Sequence, residues 1–337
     1  MKKVLVTFVL ISALIACKKK NEFPDFDYTT GFFPYQYPVR TLVLGDYIYD
    51  NTNDNNHKFV ISAAMGGVYA NSQERTFYIE IADNLCKNVL FQSTGDTIRL
   101  MPSSYYSLSS KTKLTIPAGQ VNGGVEVQLT EAFFNDPLAI KLGYVIPVRI
   151  VRATNLDSVL RGQSTRTNPD PRVVAQWDIQ PKDFTMFAVN FINPYHGMYL
   201  HRGTSVVKNA TSTVLETKSY RTPFIVDNEI WSLVTSGKNQ VTIQAITHSA
   251  LIPGNLKMNL NFTDNVNCTI TAAAGSTVAI TGSGKFATGA DEWGDKKRDA
   301  IYLDYQLTSG SMNFSATDTL VIRDRAIKLQ IYAPVVF

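Results

Sequence analysis

The sequence predicts an all-β protein in two units. Three observations carry that expectation: apolar residues alternate with period two along the chain, turn clusters interrupt the alternation at short intervals, and a polar stretch without periodicity divides the chain near its middle. The 337 residues exceed what one core usually holds, since single hydrophobic cores stop growing near ~250–300 residues. With 45% hydrophobic residues there is material for packed cores, and 18% charged residues is too few for a disordered or coiled-coil chain.

The first element is an export signal. Lys2 and Lys3 precede the apolar stretch Val4 to Ala16, which is shorter than the about 20 residues needed to span a bilayer but fits a signal-peptide core. It ends in Leu14-Ile15-Ala16-Cys17, which looks like a bacterial lipobox. Cys17 is then the lipidation site and the mature N-terminus, with acyl chains as the membrane anchor. Lys18, Lys19 and Lys20 open a tether over 18–34 and could sit against anionic headgroups. The expectation is an exported protein anchored by lipid in the cell envelope, on the outer membrane and exposed at the surface.

The strands follow. Phe77 to Ile81, Val125 to Leu129, Val241 to Ile246, Met258 to Phe262 and Lys328 to Tyr332 each place apolar side chains on one face. Turn clusters at Asp50 to Asn56, Gly66-Gly67, Asn122 to Gly124, Ser236 to Asn239 and Gly282 to Gly284 separate them. One short helix is expected near Thr130 to Ile140. Residues 162–171 lack apolar side chains other than proline, which suggests a linker over 161–176 between a sandwich at 35–160 and a barrel at 177–337.

Composition excludes several function classes. Net charge is +4, or +2 once Lys2 and Lys3 are removed, too small a balance to argue for nucleic acid. After lipidation of Cys17 only Cys86 and Cys268 remain, in different units, so no disulfide or redox pair is expected. Four histidines without ligand spacing leave little for a metal, and no metal or cofactor is expected. Asp50 to Asn56 superficially suggests calcium, but the sixth and twelfth positions are Asn55 and Ile61 where glycine and glutamate are required.

No catalytic constellation emerges either. Asp291, Glu292, Asp295, Asp299 and Asp304 cluster, yet Lys296, Lys297 and Arg298 sit among them, as in a self-neutralising solvated loop. His196, in Tyr195-His196-Gly197, reads as a hydrogen-bonded imidazole amid aromatic packing, while His201 and His248 have no motif around them. There is no nucleophile elbow and no phosphate-cradling loop.

Several segments carry a resemblance. Ala64 to Asn71, Leu100 to Tyr106, Ile116 to Gly119, Ala132 to Pro137 and Tyr144 to Ile150 follow one another in an order that resembles the N-terminal immunoglobulin-like sandwich (domain of unknown function 1735) of Bacteroidetes lipoproteins. Phe187 to Tyr199 and Glu292 to Tyr305 look like the lipocalin-like (calycin-type) β-barrel paired with that sandwich. The resemblance spans roughly residues 35–337. It implies a non-catalytic glycan binder working beside an outer-membrane importer in polysaccharide utilisation. Lys18 to Lys20 depart from the acidic residues that usually follow the lipid cysteine in surface-exported proteins of that phylum. Asp96-Thr97, Asp157-Ser158 and Asp318-Thr319 match its short O-glycosylation pattern.

Sugar binding needs a flat aromatic face beside hydrogen-bonding groups. The candidates are Trp293, in a Gly- and charge-rich loop, Trp231, after polar turn residues, Trp177, leading out of the linker, and Tyr105, among serines. Two rival readings remain: an adhesion or assembly protein offering free strand edges to a protein partner, and a glycoside-processing enzyme with two convergent carboxylates.

Overall fold

The computed structural model describes residues 28–327 and 330–337. The export signal, Cys17 and most of the tether lie outside the described residues, as do Lys328 and Leu329 of the last expected strand. No helix among the described residues is long and apolar enough to cross a membrane.

The chain is all-β. In the first unit the main sheet runs in the order Ser158–Val159, Thr30–Phe32, Lys58–Gly66, Asn122–Leu129, Lys113–Ile116, Arg75–Ile81, Tyr144–Thr154, Phe184–Ile192, Pro38–Val43 and Gln330–Ile331. Alternation explains the outer strands: in Lys58–Gly66, Phe59, Ile61, Ala63 and Met65 are buried while Val60 and Ser62 are exposed. The adjacent pair Tyr144–Thr154 and Phe184–Ile192 is instead covered on both faces. One face meets the cluster around Phe133, Phe134 and Phe191, and the other the cluster around Phe91, Phe184 and Tyr332. That is why these strands read as near-continuous apolar runs.

This arrangement shifts the division between units. The strand Phe184–Ile192, placed by sequence at the start of the barrel, belongs to the first sheet, where it pairs parallel with Pro38–Val43. Residues 161–176 fold onto that unit rather than hanging between two. Trp177 Nε1 donates to Asp170 O at 2.7 Å, Arg172 pairs with Asp170 at 2.6 Å, and Arg172 Nη1 donates to the carbonyls of Leu85 and Lys87. A polar edge loop and a linker have the same composition, so only the pairing distinguishes them.

The expected helix near 130–140 is two single turns, Glu131–Phe134 and Pro137–Ile140. Pro137 cannot continue the first turn, and Asp136 caps the second by accepting from Leu138 N at 2.8 Å. The Asp50 to Asn56 segment contains a helical turn, Thr52–Asn55, whose Asp54 points inward to pair with Arg40 and to accept from Val43 N at 2.9 Å.

The second unit is a closed antiparallel barrel of eight strands: Gly197–Asn209, Glu229–Gly237, Gln240–Ile246, Asn255–Phe262, Asn267–Ala272, Ile280–Trp293, Lys296–Ser309 and Met312–Asp324, with the first pairing to the last. A ninth strand, Val214–Tyr220, extends the edge of Gly197–Asn209 beyond the end of Glu229–Gly237. The interior is filled by Tyr199, Leu233, Met258, Leu260, Leu303 and Phe314 among others, and Tyr195 stacks on Phe262 at 3.4 Å. The barrel is therefore a packed core at its centre, and chemistry is left to its ends and outer wall.

Arg325 fastens the units together. It is buried and donates to four carbonyls: His196 at 2.8 Å, Asp46 at 2.8 Å, Leu44 at 2.9 Å and Asn193 at 2.7 Å. Gly45 lets that loop turn at φ +82°, and a Cβ there would meet Pro194 Cβ at 2.7 Å. Lys238 of the barrel also pairs with Glu131 of the first unit.

Candidate functional site

The four aromatic candidates do not converge. Trp231 is 4% exposed, inside the barrel, with Nε1 donating to Glu229 Oε1 at 2.6 Å. Trp293 is half-buried on the outer wall beside Leu200, Ala300 and Val321; its Nε1 donates to Ile322 O at 3.1 Å and Arg298 lies 4.3 Å from its ring centroid. Trp177 is half-buried against the 161–176 loop. Tyr105 packs edge-on against Tyr144 at 5.6 Å and donates to Asp136 at 2.9 Å. The Asp318-Thr319 glycosylation match is led by a carboxylate only 2% exposed.

An aromatic groove lies elsewhere, on the first unit. It has a volume of about 200 Å³ and a floor of Tyr37, Phe184 and Tyr332. Tyr35, Val174 and Ile331 stand exposed around it, Tyr35 at 63%, with Gln36 and Gln180 supplying amides. The floor rings are fixed: Tyr37 packs edge-on to Phe184 at 5.9 Å and to Tyr332 at 5.6 Å, and Tyr332 Oη donates to Met186 O at 2.9 Å. Gln36 is fixed by donating to Phe33 O at 2.8 Å. The groove joins segments far apart in sequence, 34–37, 171–184 and 331–332, because the parallel pairing of Pro38–Val43 with Phe184–Ile192 and the returning C-terminal strand bring them together. Trp177 follows Val174 of its rim by three residues.

A larger cleft of about 450 Å³ sits against the barrel and is lined by Gln244, Asn255, Lys257, Ser276 and Thr277 with Ala245, Ile246 and Leu256. It has no aromatic residue in its lining. For a sugar ring, the smaller groove holds the better chemistry.

The densest polar constellation is at one end of the barrel. Antiparallel register puts Glu229 directly opposite His201, with His201 Nδ1 2.6 Å from Glu229 Oε1. His248, from the loop after Gln240–Ile246, brings Nε2 to 2.9 Å from the same oxygen. His201 is fully buried; its Nε2 lies 3.1 Å from Asp318 Oδ2 but off the hydrogen-bond axis, which leaves that nitrogen without an aligned partner. Asp318 accepts from Tyr220 at 2.5 Å and Tyr305 at 3.0 Å. The rings are stacked in place, His201 on Trp231 at 3.7 Å and His248 on Tyr220 at 4.0 Å.

Gly203 makes room for this arrangement. It pairs with Tyr220 on one edge and Asp318 on the other, and a Cβ would lie 2.0 Å from the Asp318 carboxylate. Burial pushes the His201 pKa down, and the Asp318 and Glu229 carboxylates reverse this and raise it above its ordinary value. Burial likewise pushes Glu229 up, but its hydrogen bonds with His201 and His248 prevail and hold it at about 2. Burial, then the Asp318 charge, raises Tyr220.

The chain is similar to proteins of known structure from Bacteroides. A crystal structure of a protein of unknown function from Bacteroides ovatus is 34% identical, covers 93% of this chain and 100% of its own, and superposes with a TM-score of 0.86. The chain belongs to the family of that protein. Residues 194–326 match the family described as Domain of unknown function (DUF5627), which coincides with the barrel, and residues 26–157 match a family described as an N-terminal domain. Two further crystal structures are remote: a multidomain protein including DUF1735 from Bacteroides ovatus (12% identity, 89% and 97% coverage, TM-score 0.42) and an auxiliary nutrient binding protein from Bacteroides thetaiotaomicron (13% identity, 85% and 90% coverage, TM-score 0.37). At those scores neither establishes a shared fold. No curated protein matches the chain.

Proposed function

We propose that this family member is an envelope protein that captures a glycan in the groove around Tyr35 and delivers it without chemical change. The observation that carries the reading is the combination of exposed Tyr35, an ordered aromatic floor and two glutamine amides in one concave site. Pyranose C–H faces pack on aromatic rings, while amides read the hydroxyls. The groove is smaller than the roughly 300–1,000 Å³ of drug-sized pockets, which suits one ring of a chain lying across it. The sequence supplies the setting: the lipobox-like Leu14 to Cys17 implies a lipid anchor, and an outer-membrane importer would be the receiving partner.

Affinity electrophoresis over a panel of polysaccharides tests this, using the chain without residues 1–20, which contains every described residue. Retardation on one polysaccharide is expected, with Tyr35→Ala weakening it about tenfold, since aromatic contacts are worth about 0.5–1.5 kcal/mol on top of the apolar burial that is lost with the ring. Trp293→Ala, on the barrel's outer wall, is expected to bind as the parent does. Loss in Trp293→Ala with retention in Tyr35→Ala would move the site to the barrel. No retardation anywhere would favour a protein partner.

A further inference from the structure

We propose that the barrel end holds a divalent transition-metal ion, zinc by ligand chemistry, on His201 Nδ1, His248 Nε2 and the Glu229 carboxylate. The three ligand atoms lie within 4.8 Å of one another and come from three separate segments: Gly197–Asn209, the loop after Gln240–Ile246, and Glu229–Gly237. Two imidazole nitrogens and one carboxylate oxygen suit zinc, cobalt or nickel rather than calcium or magnesium, which take oxygen sets. Ligands sharing a tetrahedral zinc at about 2.0–2.2 Å lie roughly 3.3–3.6 Å apart, so Glu229 Oε1, 2.6 Å from His201 Nδ1 and 2.9 Å from His248 Nε2, would back away from both to admit the ion.

A second, independent feature points the same way. Metal-bound histidines are usually oriented by a carboxylate on the other ring nitrogen. Asp318 occupies that place, 3.1 Å from His201 Nε2, with its own orientation fixed by Tyr220 and Tyr305. His201 Nε2 therefore faces this carboxylate and Nδ1 faces the proposed ion position, with the ring held by its stacking on Trp231. Stacking on Trp231 and Tyr220 fixes both imidazole planes, so little ordering would remain for binding.

Without an ion, Glu229 Oε1 takes hydrogen bonds with His201, His248 and Trp231. An ion would replace the two imidazole contacts and leave Trp231 donating. His201 then keeps its proton on Nε2 facing Asp318, His248 keeps its proton on Nδ1, and any surplus imidazole proton leaves to solvent. His248 and Glu229 are partly exposed, which leaves a fourth position for water or for an oxygen ligand from solution. This site does not depend on the glycan reading, since the groove belongs to the first unit.

The test uses the chelator-treated chain without residues 1–20, titrated with zinc by calorimetry and with cobalt by visible absorption. One equivalent is expected, with a tetrahedral cobalt spectrum and a higher Tm in zinc. His248→Ala, partly exposed and therefore the variant best placed to fold, should weaken uptake about a hundredfold or more; Asp318→Asn should weaken it about 10–100-fold. His57→Ala, on a histidine of the first unit, should bind as the parent does. Absence of stoichiometric uptake, an unshifted Tm, uptake unchanged in a folded His248→Ala, or uptake lost in His57→Ala would each overturn the site and leave the constellation as a hydrogen-bonded network only.

Discussion

At the scale of single residues, the barrel's polar end depends on small steric allowances. Gly203 has ordinary backbone angles, so its requirement is space rather than conformation: Asp318 and Tyr220 occupy the volume a side chain would take. Gly203→Ala is expected to destabilise the protein by about 1–3 kcal/mol through overpacking, read as a lower urea midpoint with unchanged slope. His196 offers a different prediction. Burial, then the Arg325 charge, pushes its pKa down to about 4, and its Nδ1 accepts from Thr235 N at 3.0 Å, which requires the neutral ring. The unfolded chain therefore binds a proton that the folded chain refuses between about pH 6.5 and 4. This histidine's contribution is fully present above pH 6.5 and is lost as pH falls through that window. Its imidazole should still be neutral at pH 5.5 by NMR; a midpoint near 6.5 would contradict the account.

At the scale of elements, strands with one solvated face were legible, because burial of alternate residues is what makes them strands. Lys58–Gly66 and Asn255–Phe262 show that pattern directly. The same alternation in Glu229–Gly237 puts Trp231 in phase with Leu233 and Thr235, and that phase, rather than the polar turn before it, marks Trp231 as an inward residue. Partners were not legible. Phe184–Ile192 is recognisable as a strand, but its parallel neighbour Pro38–Val43 lies about 150 residues earlier, and nothing local records that pairing. The groove and the barrel-end constellation were hidden for the same reason. His201 and Glu229 are 28 residues apart and meet only through strand register, and Tyr35 and Tyr332 come from opposite ends of the chain. Asp136 closes a more local cluster by accepting from Tyr105, Tyr144 and Leu138 N. Asp136→Ala should therefore cost about 2 kcal/mol, more than a lone cap at about 1, measurable as a fall in Tm.

At the scale of the whole molecule, the two units are held by a buried guanidinium that meets four carbonyls and no carboxylate among its hydrogen-bond partners. Lysine cannot reproduce that fork, so Arg325→Lys should separate one unfolding transition into two, with a loss of about 3 kcal/mol. A single transition at the parental Tm would show that the clamp is dispensable. The groove is built from residues 34–37, 171–184 and 331–332, so its shape depends on the edge loop 161–176 and the returning C-terminal strand being in place. The most direct measurement of the central claim is a crystal structure of the chain soaked with the oligosaccharide that affinity electrophoresis selects. The account predicts a pyranose ring packed on Tyr35 or Tyr37, with hydroxyls hydrogen-bonded to Gln36 or Gln180. A sugar seated in the cleft lined by Gln244, Asn255 and Lys257, or on Trp293, would contradict it.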